Sequence, residues 1–344
     1  MAGPSASFTM TIGPVPFKDV VGEAAEDDDH ITPPTEYGDI ISTLPSINYL
    51  GRWVHYQYQG GWVIHQRIPG VLSFQRRFTP RPGDVLLASP PKCGTTWLKA
   101  LSFATMARAA YPPNSAEHPL LRLNPHECVP LLDDLFSAGQ HDKLEALPSP
   151  RLMNTHMLHS QLPSSVADNI DCKIVYICRE PKDMLVSLWH FAQTISPIKF
   201  TDVFESACEG KSTDGPIWNH ILGYWGASKT SPERVMFLRY EEMILDPVDT
   251  VRHLARFLGL PFTSAEEAAG VPANIVKLCS METMKAVEAN NIGTSGIFLK
   301  FPHKSYFRKG VVGDWVNHMT PEMARRFDSI VDDKISGSGL SFRP

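Results

Sequence analysis

The eight residues PPKCGTTW, Pro90 to Trp97, place a lysine, one glycine and two threonines directly ahead of an apolar segment. A glycine lets the backbone bend close to an anion, and the free N–H groups at the start of a following helix point at it. Lys92 adds a compact positive charge, Thr95 and Thr96 add hydroxyl donors, and Trp97 offers a flat face to a base. The chemistry of such a turn is anion binding. The nucleotide-binding order GxxxxGK followed by Ser or Thr is not met, because the lysine precedes a single glycine. No neighbouring strand ends in an obvious magnesium carboxylate, which weakens a nucleoside-triphosphate reading such as a nucleotide kinase. Taken alone, the turn does not name its anion, and a plain strand-to-helix connection uses similar residues.

The elements that must position this turn repeat one theme: a short apolar strand, a tight turn, then a helix. The first copy is Asp84 to Ser89, PPKCGTT and WLKALSFATMARA; the second is Lys173 to Cys178, REPKD and MLVSLWHFAQ. In the third, Val235 to Tyr240 leads into EEMILDPVDTVRHLARFLGL, where Asp246 is placed to cap a helix, Pro247 to start it and Gly259 to end it. Continuous apolar strands alternating with helices predict an α/β fold, a central parallel sheet flanked by helices on both faces. Ligands of such sheets bind beyond the carboxyl ends of the strands, where these three deliver Lys92, Thr95, Arg179, Ser187 and Tyr240. Upstream, GRWVHYQYQGGWVIH alternates aromatic and polar residues around Gly60-Gly61 and predicts a hairpin. Residues 111–150, rich in Pro, Asn and His, read as an insertion carrying lid or pocket elements. Residues 1–45, with the acidic run Glu23 to His30, read as a weakly ordered, solvated leader, so that 46–344 forms a single domain.

The net charge of −5 argues against a dedicated nucleic-acid binder while leaving room for a local basic pocket. The N-terminus lacks the basic start and apolar run of a signal peptide, and no apolar stretch reaches the roughly 18–20 residues needed to span a bilayer. Six cysteines, Cys93, Cys128, Cys172, Cys178, Cys208 and Cys279, are scattered without a CxxC pair or a histidine cluster at metal spacing. They read as reduced thiols packed as small hydrophobes, and the setting as cytoplasmic, with no membrane and no nucleic-acid partner.

PPKCGTTW resembles the PKSGTTW loop of cytosolic sulfotransferases, which grips the 5′-phosphosulfate of 3′-phosphoadenosine 5′-phosphosulfate (PAPS). Further matches follow in family order: NTHMLHSQLP from Asn154, YICREPKDMLVSLWHF from Tyr176, FRKGVVGDW from Phe307, and the terminal SGSGLSF. Stretches such as GPIWNHILGYWGAS and LCSMETMK are most similar to the plant branch. The likeness runs from about residue 50 to the C-terminus. It implies a PAPS-dependent sulfotransferase of the phosphosulfate-loop fold, transferring a sulfuryl group to a hydroxyl of a small molecule, with PAPS as co-substrate and no metal.

The resemblance also distributes roles. Lys92, Cys93, Gly94, Thr95 and Thr96 hold the 5′ end, Cys93 through its backbone N–H. Arg179, Ser187, Arg308, Lys309 and Gly310 hold the 3′ phosphate, while Trp97 and Tyr240 contact the adenine. His156, in NTHMLHSQLP, corresponds to the catalytic histidine and takes the proton of the acceptor hydroxyl; Lys92 stabilises the charge growing on the leaving oxygen. Ser187 is implied to restrain Lys92 before the acceptor arrives. Phe191 and His159 are implied in the acceptor pocket, to which aromatic residues near Trp53 and Tyr56 are expected to contribute.

Departures from the family pattern are visible too. Cys93 replaces a serine, and a reactive thiol beside positive charge and a helix start is a second expectation there. Met281 stands where phenylalanine is usual, His159 where plant members often carry tyrosine, and Asn154 where some animal members carry lysine. The animal dimer motif KxxxTVxxxE is replaced by VNHMTPEMAR, with Val316, Pro321 and Arg325 at its defining positions, which implies a monomer. Plant relatives act on flavonols, brassinosteroids, hydroxyjasmonates, desulfoglucosinolates and phenolics. The motifs do not choose among these acceptors or among roles in secondary metabolism and hormone modification. A PAPS-binding protein without turnover is the remaining alternative.

Overall fold

The computed structural model describes residues 13–22, 31, 33–167 and 171–342. Three strands, β1 (Ser46–Tyr49), β2 (Trp53–Tyr58) and β3 (Gly61–Ile64), form an antiparallel sheet in chain order. β2 and β3 are the expected hairpin, turning at Gln59-Gly60, and pair Tyr58 with Gly61. The central sheet is parallel, with β4 (Val85–Ala88), β5 (Leu152–Thr155), β6 (Lys173–Cys178) and β7 (Val235–Arg239) in the order β5-β4-β6-β7. Three of its strands are those expected; β5 is not, and it lies at the edge beside β4.

Side chains alternate across this sheet with the two-residue period of a strand. Leu86, Ala88, Met153, Ile174, Tyr176 and Cys178 enter one core, together with the helices Ile68–Arg77, Pro181–Ala192, Ile217–Thr230 and Pro321–Ile335. Val85, Leu87, Leu152, Val175, Ile177 and Leu238 enter the other, against the helices Thr95–Met106, Pro247–Phe257 and Val271–Leu278. Both faces are covered, which is why β4 and β6 read as apolar runs. Asp246 caps the helix Pro247–Phe257 by accepting the N–H of Asp249, as its sequence position predicts.

The leader departs from expectation. Residues 17–21 and 38–42 are helical, Tyr37 is buried in the first core, and Lys18 pairs with Glu127 at 2.8 Å. A buried ring and an ion pair supply the ordering energy that composition alone does not reveal. The acidic run Glu23 to His30 lies outside the described residues. Residues 111–150, read as an insertion, carry short helices, among them Pro125–Cys128 and Leu132–Ser137.

At the amino-terminal end of β4 and β5, Asp84 is fully buried and accepts from Arg151 Nη2 at 2.6 Å, from both Arg81 and Arg151 backbone N–H groups, and from Arg151 Nε. Removing one member of such a pair leaves an uncompensated buried charge. Arg151→Met is expected to destabilise the fold by about 3–5 kcal/mol, and adding Asp84→Leu to recover much of that loss. Urea denaturation of both variants measures this, with the carboxyl ends of the strands left untouched.

Candidate active site

β4 and β5 are paired in parallel with Ala88 opposite Thr155, so the next residues on each strand, Ser89 and His156, emerge side by side. The Ser89 carbonyl lies 2.8 Å from His156 Nδ1. A carbonyl only accepts, so Nδ1 carries the proton and Nε2 keeps its lone pair. Burial, then the charge of Arg67, pushes the imidazole pKa down to about 3. The ring is therefore neutral at physiological pH, with one nitrogen oriented as a base. Asp133, buried, holds this segment in place: its carboxylate accepts from the Thr155 hydroxyl at 2.7 Å and from the His156 N–H at 3.2 Å.

The turn after β4 closes on Gly94, whose φ of +99° few other residues adopt. A Cβ there would stand 2.7 Å from the Tyr240 ring, so the position also lacks room. Gly94 opens the helix Thr95–Met106, leaving the N–H groups of its first turn for an anion. Thr95 Oγ1 hydrogen-bonds Ser89 Oγ at 2.6 Å. Lys92, also at positive φ, sets its ammonium over the Phe191 ring, 3.8 Å from the centroid, and 5.6 Å from that of Tyr306. Burial, then repulsion from Arg179 and Arg308, lowers its pKa to about 7.

A second cationic group gathers beyond β6 and β7. Arg179 Nη2 donates to the Val311 carbonyl at 2.7 Å, and its guanidinium lies over the Tyr240 ring at 4.8 Å. Arg308 and Lys309 both pair with Asp314, at 2.6 and 2.7 Å. Asp183 ties this strip to the helix Pro181–Ala192 by accepting the N–H groups of Gly313 and Trp315 at 2.6 and 3.0 Å. Ser187 is buried further along that helix. Arg179 Nε and Arg308 Nε are both buried without a hydrogen-bond partner. Two unpaired guanidinium donors at one place suit an anion of phosphate type. Between the two cationic groups, Trp97 meets Tyr240 edge to face at 5.8 Å, and a Cβ on Gly310 would touch Met281 at 2.6 Å and the Tyr240 hydroxyl at 3.7 Å. Aromatic, thioether and glycine surfaces thus flank one slot.

Beside His156 opens a cavity of about 770 Å³. Its wall includes Trp53, Leu131, Leu188, Phe191, Ile198, Phe301 and Tyr306, with Lys99, His126, Arg67 and Asp134 among its polar members. Volume and lining fit a small molecule with an apolar body. Phe191 stacks on Phe301 at 4.2 Å, so the ring beneath Lys92 is also cavity wall.

Residues 82–339 match the sulfotransferase-domain family model. Cytosolic sulfotransferase 5 of Arabidopsis thaliana is 43% identical over 88% of this chain and 95% of its own length. The chain belongs to the plant cytosolic sulfotransferase family. Cytosolic sulfotransferase 8 of the same plant is 44% identical to this sulfotransferase, over 88% of the chain and 91% of its own. Among solved structures, an Arabidopsis protein provisionally assigned as a steroid sulphotransferase superposes with a TM-score of 0.71 at 38% identity, covering 89% of this chain and 94% of its own. A mouse sulfotransferase complexed with PAP gives 0.65 at 27%, covering 83% and 95%.

The sulfotransferase fold brings together most residues singled out in the sequence: His156, Lys92, Gly94, Thr95, Thr96 and Trp97 around the turn, and Arg179, Tyr240, Arg308, Lys309 and Gly310 beyond it. Three expectations do not hold. His159 starts a short 3-10 helix and packs on Tyr224 at 5.3 Å and under Gly223, outside the cavity wall. Tyr56 likewise is not among the cavity residues, whereas Trp53 is, because alternate residues of β2 face opposite ways. Cys93 is fully buried, and burial pushes its pKa up despite the nearby Arg179, so it is a packed thiol and not a reactive one. The residues that sequence reasoning missed are Asp133, Lys99, His126, Tyr306 and Asp314. A lysine inside an apolar helix face was the one available signal, since Lys99 is fully buried.

Cys208 is the only cysteine that is not buried, and burial still pushes its thiol up to about 11. Iodoacetamide on the native protein is expected to modify Cys208 slowly and to leave Cys93 unlabelled, as mass spectrometry of tryptic peptides reads directly.

Proposed function

We propose that this sulfotransferase moves the sulfuryl group of PAPS to a hydroxyl of a small acceptor of the phenolic, flavonoid, steroid or jasmonate type, with His156 as general base. The observation that carries the reading is the neutral His156, its Nε2 lone pair fixed by the Ser89 carbonyl at 2.8 Å, at the edge of an apolar cavity. The PAP held by the mouse relative and the steroid assignment of the Arabidopsis structure support the same donor and acceptor classes. Lys92, Thr95, Thr96 and the backbone N–H groups after Gly94 bind the 5′-phosphosulfate. Arg179, Ser187, Arg308, Lys309 and Gly310 bind the 3′ phosphate, their unpaired Nε donors turned to use. Trp97, Tyr240 and Met281 enclose the adenine.

His156 Nε2 takes the acceptor proton while the acceptor oxygen bonds to sulfur and the bond from sulfur to the phosphate oxygen breaks. That electron pair stays on the phosphate oxygen, where Lys92 and the threonine hydroxyls meet the new charge. General-base help of this kind typically contributes about 10²–10⁴-fold. The charge neutralisation rests on these side chains and calls for no metal. Residues 46–344 act as one domain, with 111–150 closing the acceptor cavity. The enzyme works as a monomer with no nucleic-acid or membrane partner, and takes part in secondary metabolism or hormone modification.

The first test transfers labelled sulfate from PAPS to a panel of phenols, flavonols, steroids and jasmonates. His156→Ala is expected to lower turnover by at least about 10²-fold with PAP affinity retained. PAP binding without transfer to any acceptor would instead mark a donor-binding protein, and absence of PAP binding would sink the reading. A second test uses Lys92. Its pKa lies near 7 in the free protein, so at pH 8.5 the amine is largely neutral. An arriving anion restores its charge. Calorimetry in buffers of different ionisation enthalpy is expected to show uptake of about one proton per PAP bound at pH 8.5, and the uptake to vanish in Lys92→Met.

A further inference from the structure

Behind the phosphosulfate turn runs a chain of polar groups that the scheme above leaves unused. Thr96 Oγ1 lies 3.0 Å from His126 Nε2, and His126 Nδ1 lies 3.2 Å from Lys99 Nζ. Lys99 also donates to the Val129 carbonyl at 2.9 Å. Thr96 and Lys99 sit one turn apart on the helix Thr95–Met106, so they present one face. His126 comes from the helix Pro125–Cys128, which a capping box of Asn124 and Glu127 opens. Its ring stacks on Tyr306 at 4.1 Å. Two helices about thirty residues apart thus meet through His126, whose far ring nitrogen reaches the Thr96 hydroxyl.

The direction of this chain follows from donor counting. An ammonium has only donors, so His126 Nδ1 accepts from Lys99. Burial, followed by the charge of Lys99, holds the His126 ring neutral, so its one proton sits on Nε2. Nε2–H then donates to Thr96 Oγ1. With that lone pair occupied, the hydroxyl proton of Thr96 is free to point out of the turn. Burial lowers the Lys99 pKa to about 7, against the pull of the Asp134 and Asp133 carboxylates, so the relay runs in this direction while the lysine holds its proton.

We propose that Lys99 and His126 form a hydrogen-bond relay that aims the Thr96 hydroxyl, so that Thr96 donates to the phosphate oxygen on which charge appears as the sulfuryl group departs. Both are positioning residues, acting through Thr96. No proton is transferred along the relay; it fixes which way the hydroxyl points, and hydrogen bonds in series strengthen one another. The inference rests on the sulfuryl-transfer reading.

The test measures kcat, PAP affinity and melting temperature for wild type, Thr96→Val, His126→Phe, His126→Gln, Lys99→Met and the double variant Thr96→Val/His126→Phe. Phenylalanine keeps the stack on Tyr306 and removes both ring nitrogens; glutamine keeps an N–H near the Nε2 position. His126→Phe and Lys99→Met are expected to lower kcat by about 10–100-fold, with PAP affinity within about threefold of wild type. His126→Gln should recover part of the loss. The double variant should be no slower than Thr96→Val alone, because the relay has nothing left to aim. Multiplying losses in the double variant, or an undiminished kcat in His126→Phe, would overturn the relay while wild-type transfer stood. Should Lys99→Met not fold, the His126 pair and the double variant carry the same decision. Absence of transfer by the wild type itself would remove the reading beneath it and the relay with it.

Discussion

The parallel pairing of β4 with β5 is the constraint on which the site depends. With Ala88 opposite Thr155, the Ser89 carbonyl meets His156 Nδ1, and one hydrogen bond sets both the tautomer and the direction of the imidazole. A slip of one residue would turn every side chain of β5 to the other face. Leu152 and Met153 prevent it, since each belongs to a different one of the two cores. Packing at the middle of an edge strand thus decides the chemistry at its end. At the opposite end the buried Asp84–Arg151 pair clamps the same two strands.

Gathering cations without an anion present has an electrostatic cost, and the fold meets it in three ways. Lys92 rests on the face of Phe191, where the ring quadrupole is negative. Arg308 and Lys309 share Asp314, whose own pKa, despite burial, is held well below the usual range by hydrogen bonds from these two side chains. Arg179 has Asp183 at 3.6 Å and a carbonyl at 2.7 Å. None of these counter-groups meets the unpaired Nε atoms, so the site is neutralised in part and still selective for an anion.

Much of this was legible in sequence because it is local. Gly94 and the donors around it lie within one turn, the apolar runs of β4, β6 and β7 are short-range patterns, and Asp246-Pro247 announces its helix. What was hidden is relational. β5 has four residues, two of them polar, because Asn154 and Thr155 find buried partners that a hydropathy pattern cannot show. Asp133, His126 and Tyr306 enter the site from segments read as insertion or connection. His159, placed in the pocket by the resemblance, opens a 3-10 turn and packs on Tyr224, a contact that no motif shows. The order of the described leader residues escaped the sequence because their composition is that of a solvated tail, while Tyr37 is buried in the core and Lys18 pairs with Glu127.

The ion pair of Lys18 reaches further into the fold. Glu127 accepts the amine of Lys18 with one oxygen and, with the other, the N–H of Asn124 that begins the helix bearing His126. Phe17, Lys18 and Val21 also stand in the cavity wall. Residues 17–21 are therefore structural material of the cavity beside His156. Among relatives whose catalytic motifs coincide, divergence in these residues is divergence in pocket shape.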